Sequence, residues 1–229
     1  MTQFYQQESK FYVSVDCIIL GFKDEEINVL VIKRKFEPLK GERSLMGGFV
    51  RDNENLNDTV SRVVAEYTGV ENVYMEQVGA YGDISRDSGE RVISVVYYAL
   101  IDMERFDDKL EKQHNAEWVN VNHVGQLIFD HNLFLTDTIH LLRRRTVSRP
   151  VGFNLLPEKF TLPQLQSLYE AIYQRPLDKR NFRKKIFEMD ILDKLEEKDK
   201  SASRRGAYYY RFNKEKYNRR LEEGFYFSI

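Results

Sequence analysis

The chain has 229 residues, a formal net charge of −1, and 42% hydrophobic and 13% aromatic residues. That is enough apolar material for one large or two small packed domains, and it excludes a disordered polymer. No apolar run approaches the ~20 residues of a membrane span, MTQFYQQESK lacks the apolar stretch of a signal peptide, and the single Cys17 excludes a disulfide framework; a cytoplasmic location is the expectation. The charge is uneven: residues 151–229 carry 17 Lys+Arg against 12 Asp+Glu, a net of +5, and residues 1–150 a net of −6. A basic back half on an acidic front half points to a polyanionic partner for the back half.

In chain order, residues 11–21, FYVSVDCIILG, predict a strand ending at Gly21, and residues 28–35, NVLVIKRK, a second strand after a turn at Lys23–Glu26. Residues 36–44 read as a loop. A helix over about 57–68 carries Val60, Val63, Val64 and Tyr67 at spacings of three and four, a buried stripe. Residues 73–84, 91–101 and 116–121 predict further strands, with VISVVYYALI apolar enough for a central one. Residues 123–145 predict a helix with Val124, Leu127, Ile128, Leu135, Ile139 and Leu142 on one face. Pro150 and Pro157 then punctuate the chain. The expected organisation is a domain at 1–148, a linker at 149–157 and a second domain at 158–229.

In the second domain, Thr161 and Gln164 have capping-box spacing, and Leu165, Leu168, Tyr169 and Ile172 make a one-sided helix. Gln174–Leu177 breaks it, and Asp178 can cap a second helix. There Phe182, Ile186 and Met189 face inward, while Lys179, Arg180, Asn181, Arg183, Lys184 and Lys185 face outward. A helix, a short turn and a second helix basic toward solvent suit a helix-turn-helix reading the major groove of double-stranded DNA. Residues 194–206 predict a mobile polar loop. Arg204 and Arg205 precede the aromatic strand AYYYRF, whose Tyr209 and Arg211 complete a candidate wing.

Residues 48–70, GFVRDNENLNDTVSRVVAEYTGV, resemble a Nudix box, with Gly48, Glu54, Arg62, Glu66, Gly69 and Val70 on pattern. Val63 and Tyr67 stand where the family has acids. A Nudix hydrolase cleaves a diphosphate with Mg²⁺ or Mn²⁺, hard cations that need several carboxylate oxygens from one helix face. The resemblance implies that Glu54 and Arg62 staple the loop to its helix, and that Gly48 and Gly69 sit at turns where a side chain would clash. It also implies that hydrolysis is lost. No metal site and no cofactor are expected. An active hydrolase that uses Glu54, Glu66 and a displaced acid such as Glu71 or Glu76 stays open as the competing reading.

Together the halves resemble the Nudix-related transcriptional regulators of the NrtR type. FTLPQLQSLYEAIYQRPLDKRNFRKKI is similar to their winged-helix signature. The resemblance implies an α/β/α Nudix-like sandwich followed by a C-terminal winged helix, a homodimer on operator DNA and a small-molecule effector. It is nearest to the L-arabinose-responsive AraR branch, with ADP-ribose-responsive regulation of NAD metabolism as the alternative. Candidate effector ligands are polar residues in or beside apolar segments: Asp16, Lys33, Arg34, Arg43, Asp83, Arg86, His131 and Asn132. Asp16 leads, since a buried carboxylate requires a partner.

Overall fold

A computed structural model describes residues 6–106, 108–201 and 205–229. A mixed sheet is built from β1 (Tyr12–Lys23), β2 (Glu26–Lys33), β3 (Arg43–Ser44), β4 (Met46–Phe49), β5 (Tyr74–Tyr81), β6 (Val92–Leu100) and β7 (Ala116–Asn120). Its hydrogen-bonded order is β3-β2-β1-β6-β5, with β4 on β1 and β7 on β2. Only the β1–β6 pair is parallel. β1 enters β2 through a two-residue turn in which Asp24 and Glu25 take positive φ, 52° and 62°. That handedness matches the strand twist, so the hairpin closes without splaying.

Helix α1 (Leu56–Thr68) covers one face of the sheet. Its start is a capping box: the Asn55 side chain accepts from the N–H of Asn57 and Asp58, and Asp58 accepts from the N–H of Asn55. Gly69 ends it at φ 69°, a left-handed cap that suits glycine. β1 alternates its buried residues: Val15, Cys17 and Ile19 pack with Val60, Val63 and Val64 of α1, while Ile18 and Leu20 face the other way. There they meet α3 (His131–Ser148), through Phe134, Leu135 and Leu142. A short helix, α2 (Asp108–His114), precedes β7. The helix expected over 123–145 therefore begins eight residues late. Gly125 (φ 73°) and Phe129 (φ 48°) turn the backbone left-handed, and 123–130 is a loop whose Val124, Leu127 and Ile128 are buried without helical backbone.

The segment 149–157 links the halves in sequence and is itself packed. Pro150–Leu155 forms a 3-10 turn, and Val151, Phe153, Leu155 and Leu156 are buried. The second half comprises β8 (Phe160–Thr161), α4 (Leu162–Tyr173), α5 (Lys179–Glu188), β9 (Leu192–Asp199), β10 (Ala207–Phe212) and α6 (Lys214–Glu222). Its sheet order is β8-β10-β9. The first part of the stretch expected as a loop over 194–206, residues 194–199, is thus strand: β9 pairs antiparallel with β10, Lys194 opposite Tyr210 and Lys198 opposite Tyr208. Pairing with an aromatic strand overrides the low strand preference of LDKLEEKD.

The apolar core under α3 continues without a break into Leu165, Leu168, Tyr169 and Ile172 of α4 and Phe182 and Ile186 of α5. Polar contacts close the seam. Arg143 Nε donates to the Ile172 carbonyl at 2.8 Å, Gln174 to Asn122 at 2.5 Å, and Ser167 to Glu25 at 3.2 Å. Replacing the fully buried Leu168 by Ala should cost about 2–5 kcal/mol. Because the core is shared, denaturation of the variant followed by both far-UV circular dichroism and tyrosine fluorescence should show one shifted transition. Two separate transitions would refute a shared core.

Candidate functional sites

The box segment retains its staple. Arg62 donates from Nε and Nη2 to the two Glu54 oxygens at 2.7 and 2.8 Å and from Nη2 to the Phe49 carbonyl at 3.2 Å, and Thr59 donates to Glu54 at 3.1 Å. Chiefly because of the Arg62 hydrogen bond, the Glu54 carboxyl is held down at about 2. Val63 is 1% exposed and belongs to the α1 core. Tyr67 packs its ring on His114, 4.7 Å between centroids. Glu66 is exposed, without Glu54 as a free neighbour. No group of three His, Cys, Asp or Glu among the described residues is placed to hold a metal ion. One expectation is corrected. A Cβ on Gly48 would meet nothing closer than 3.5 Å, an ordinary contact. The glycine with no room is Gly47, whose Cβ would stand 2.5 Å from Asp16 Oδ1 and 2.9 Å from the Val15 carbonyl.

On the opposite face of the sheet a polar cluster is buried at the start of α3. The Ser94 hydroxyl donates to Asp16 Oδ2. His131 Nδ1 accepts the Leu45 N–H at 3.1 Å, which leaves its proton on Nε2, 3.7 Å from Asp16 Oδ1. Burial pushes the His131 pKa down, so the imidazole is neutral at pH 7. Arg86 forms a two-pronged pair with Asp130 at 2.9 and 3.0 Å, and its guanidinium lies 5.4 Å from the Phe134 ring. Arg34 lies 4.1 Å over the Phe36 ring and 5.6 Å from the Phe129 ring, which itself sits 6.0 Å from His131.

In the second half, the Asp178 side chain caps α5 by accepting the Asn181 N–H at 2.8 Å. Phe182 and Ile186 are buried, and Lys179, Arg180, Asn181, Lys184 and Lys185 are exposed. A shallow concavity of about 750 Å³ opens at its N-terminus, lined by Asp178, Lys179, Arg180, Asn181 and Arg183. On the wing, Lys194 and Lys198 of β9 clasp the Tyr208 ring, with Nζ 3.7 and 4.2 Å from its centroid.

Two family models match the chain: the Nudix domain over residues 10–142 and the NrtR DNA-binding winged helix domain over residues 152–212. The ADPR responsive transcriptional repressor NtrR of Acinetobacter baylyi is 30% identical over 210 residues, 90% of this chain and 84% of the relative. The chain belongs to the NrtR-type family of Nudix-related transcriptional regulators. Its fold superposes on that of Shewanella oneidensis NrtR complexed with a 27mer DNA at a TM-score of 0.82 and 28% identity, covering 90% of this chain and 95% of that one. The Nudix domain of S. oneidensis NrtR complexed with ADP ribose matches at a TM-score of 0.50 and 26% identity, over 62% of this chain and 99% of that one. These relatives lend the AraR branch no support.

Of the eight candidate effector residues, the NrtR-type fold gathers Asp16, Arg34, Arg86 and His131 into one cluster. The others stand apart or have structural work. Asn132 accepts the Leu127 N–H and donates to the Gly125 carbonyl, both at 2.8 Å, bracing the loop before α3. Arg43 binds Glu117 at 2.9 Å and the Val124 carbonyl at 3.1 Å. Asp83 closes its own turn through Ser85, and Lys33 is exposed at the end of β2. Among the wing candidates, Arg211 pairs with Glu158 at 3.1 Å, Tyr209 is half-buried and Arg205 exposed; Arg204 lies outside the described residues. Sequence reasoning missed Phe36, an aromatic in an otherwise polar loop, and the wing lysines Lys194 and Lys198, whose spacing on a strand was read as a loop.

The Glu54–Arg62 staple has a pH signature. Glu54 is held at about 2, below the ordinary carboxyl value of about 4.3. Its contribution to stability is therefore full above that ordinary value and is lost as pH falls through about 2. Acid unfolding of Glu54→Gln should show a stability gap to the parent protein at pH 6 that shrinks across this window. A gap independent of pH would contradict the ion pair.

Proposed function

We propose that this protein is an ADP-ribose-responsive transcriptional repressor that binds operator DNA as a homodimer through its winged helix. The observation that carries the reading is the match across both halves to a repressor described as ADPR responsive. The exposed cationic face of α5 supports it independently. L-arabinose, the effector expected from the sequence, has no relative in its favour here, and the Arg34 guanidinium lies beside the buried cluster without a carboxylate partner among the described residues, as a diphosphate ligand favours.

In this reading α5 enters the major groove with its N-terminus first, the usual docking of a recognition helix. Arg180 and Asn181 meet base edges there, since Arg matches guanine and Asn matches adenine bidentately. Lys179, Lys184 and Lys185 neutralise phosphates, and Lys194, Lys198 and Tyr208 lay the wing along the backbone. Helix α3 is the transmitter. It runs from His131 in the effector cluster to Arg143 on the α4 seam, about 18 Å at 1.5 Å per residue. An effector that binds the two dimer arrangements with different affinity shifts the spacing of the winged helices and so releases the operator.

The Nudix domain in this reading senses and does not hydrolyse. Val63 is buried in the core and Tyr67 lies against His114, and Asp58 is engaged in the Asn55 cap, so the box face of α1 offers Glu66 alone, and a cation there would keep most of its water. The competing reading, an active diphosphate hydrolase, retains Glu66 and a Glu54 already bound by Arg62.

The decisive experiment is operator binding by the full chain at fixed salt with ADP-ribose or L-arabinose, alongside a phosphate-release assay with Mg²⁺ or Mn²⁺. Release by ADP-ribose without turnover is expected; release by arabinose alone would restore the sugar branch, and turnover would restore the hydrolase. Arg180→Ala should cost about 1–3 kcal/mol and relax preference at one base pair, whereas Lys184→Ala should weaken all sequences alike and lower the salt slope by about 1. Equal effects of the two on every sequence would refute the assigned docking.

A further inference from the structure

Three loops meet at the end of the sheet above the Asp16–Ser94–His131 cluster, and each is braced before any ligand arrives. Residues 34–42 close on themselves, with Arg34 N–H donating to the Glu42 carbonyl at 2.9 Å and Gly41 N–H to the Arg34 carbonyl at 2.8 Å. Residues 82–91 are pinned by Arg91 donating to the Asp83 carbonyl at 2.9 Å. The loop before α3 is held by Asn132 and by Ile128 N–H donating to the Arg43 carbonyl at 3.0 Å. The first two loops touch where a Cβ on Gly89 would lie 3.9 Å from Pro38.

This braced rim presents apolar side chains to solvent: Phe36 is 62% exposed and Ile84 83%. Rigid loops that hold large apolar groups in water fit a covering ligand better than they fit stability. The rings are also arranged with charge. Arg34 covers one face of Phe36, its Nε donating to the Phe36 carbonyl at 3.2 Å. Its guanidinium makes no further hydrogen bond or ion pair among the described residues, so its terminal nitrogens are free for a phosphate. The Phe129 ring lies 5.6 Å from the Arg34 guanidinium, on a residue at φ 48°, a backbone conformation that a bulky aromatic adopts only under constraint.

We propose that Phe36, backed by Arg34 and Phe129, is the stacking platform for the purine base of the effector, with Arg34 reaching the adjoining diphosphate. This rests on the ADP-ribose reading above and deepens it. An aromatic face backed by a guanidinium suits a flat π-system such as a base.

The test is calorimetric titration of ADP-ribose into the full chain and its Phe36→Ala and Phe36→Tyr variants, with operator affinity in the absence of effector measured for each. Phe36→Ala should bind ADP-ribose about tenfold to a hundredfold more weakly, Phe36→Tyr within about threefold of the parent on the same scale, and all three should hold the operator alike. Undiminished ADP-ribose binding by Phe36→Ala would overturn the platform while leaving the regulator reading intact. Loss of operator binding in Phe36→Ala would make Phe36 a structural residue and overturn it too. Failure of the parent protein to bind ADP-ribose would instead sink the effector assignment, and the platform with it.

Discussion

The packing of α3 between the seven-stranded sheet and α4 is the contact on which the rest of the molecule depends. Phe134, Leu135 and Leu142 fill the sheet face, and the same apolar cluster continues into Leu165, Leu168 and Ile172 of the winged helix. Apolar burial of this kind has no direction of its own. Direction comes from the polar contacts at its margins, where Arg143 bonds the Ile172 carbonyl and Arg145 bonds Glu76 at 2.5–2.6 Å. Burial alone would raise the Glu76 pKa, yet the donors Arg145, Tyr74 and Tyr98 outweigh it and keep the carboxylate ionised. The end of α3 is thereby tied to both β5 and α4, and displacement at its start has two places to be felt.

The box keeps its scaffold with Val63 and Tyr67 in place of acids. The Glu54–Arg62 staple, the capping box at Asn55 and the left-handed Gly69 preserve the loop–helix turn. None of these needs the acids that Val63 and Tyr67 replace. Val63 adds to the core by being apolar, since a carboxylate at a position 1% exposed would have to be desolvated. On the other face of the sheet Ser94 donates to Asp16, His131 accepts the Leu45 N–H, and three braced loops surround them.

Much of this was readable from local pattern. Alternation in VSVDCIIL, the stripe Val60–Val63–Val64, the Thr161–Gln164 box and the basic face 179–185 each rest on neighbours within a few residues, where periodicity and capping act. The failures were those of longer range. Leu127 and Ile128 have helical spacing but lie in a loop, because the Arg43 carbonyl, 85 positions earlier in the numbering of the bonded pair Arg43–Ile128, captures an N–H that a helix would have used. Lys194 and Lys198 sit in a polar stretch and yet form a strand, because β10 supplies the partner and Tyr208 the ring.

The sequence by itself determined most of the element types, the absence of acids at positions 63 and 67 and the cationic outer face of α5, since each follows from residue type at fixed spacing along one helix or strand. Only the tertiary structure decided which polar residues meet. Asp16, Arg34, Arg86 and His131 come from four separate segments and converge through the β1–β6 pairing and the entry of α3, while Asn132 and Arg43, equally promising as isolated residues, are consumed by backbone groups that no local pattern reveals. It also decided that 149–157 is a packed joint, because the burial of Val151, Phe153 and Leu155 requires surfaces from both halves at once.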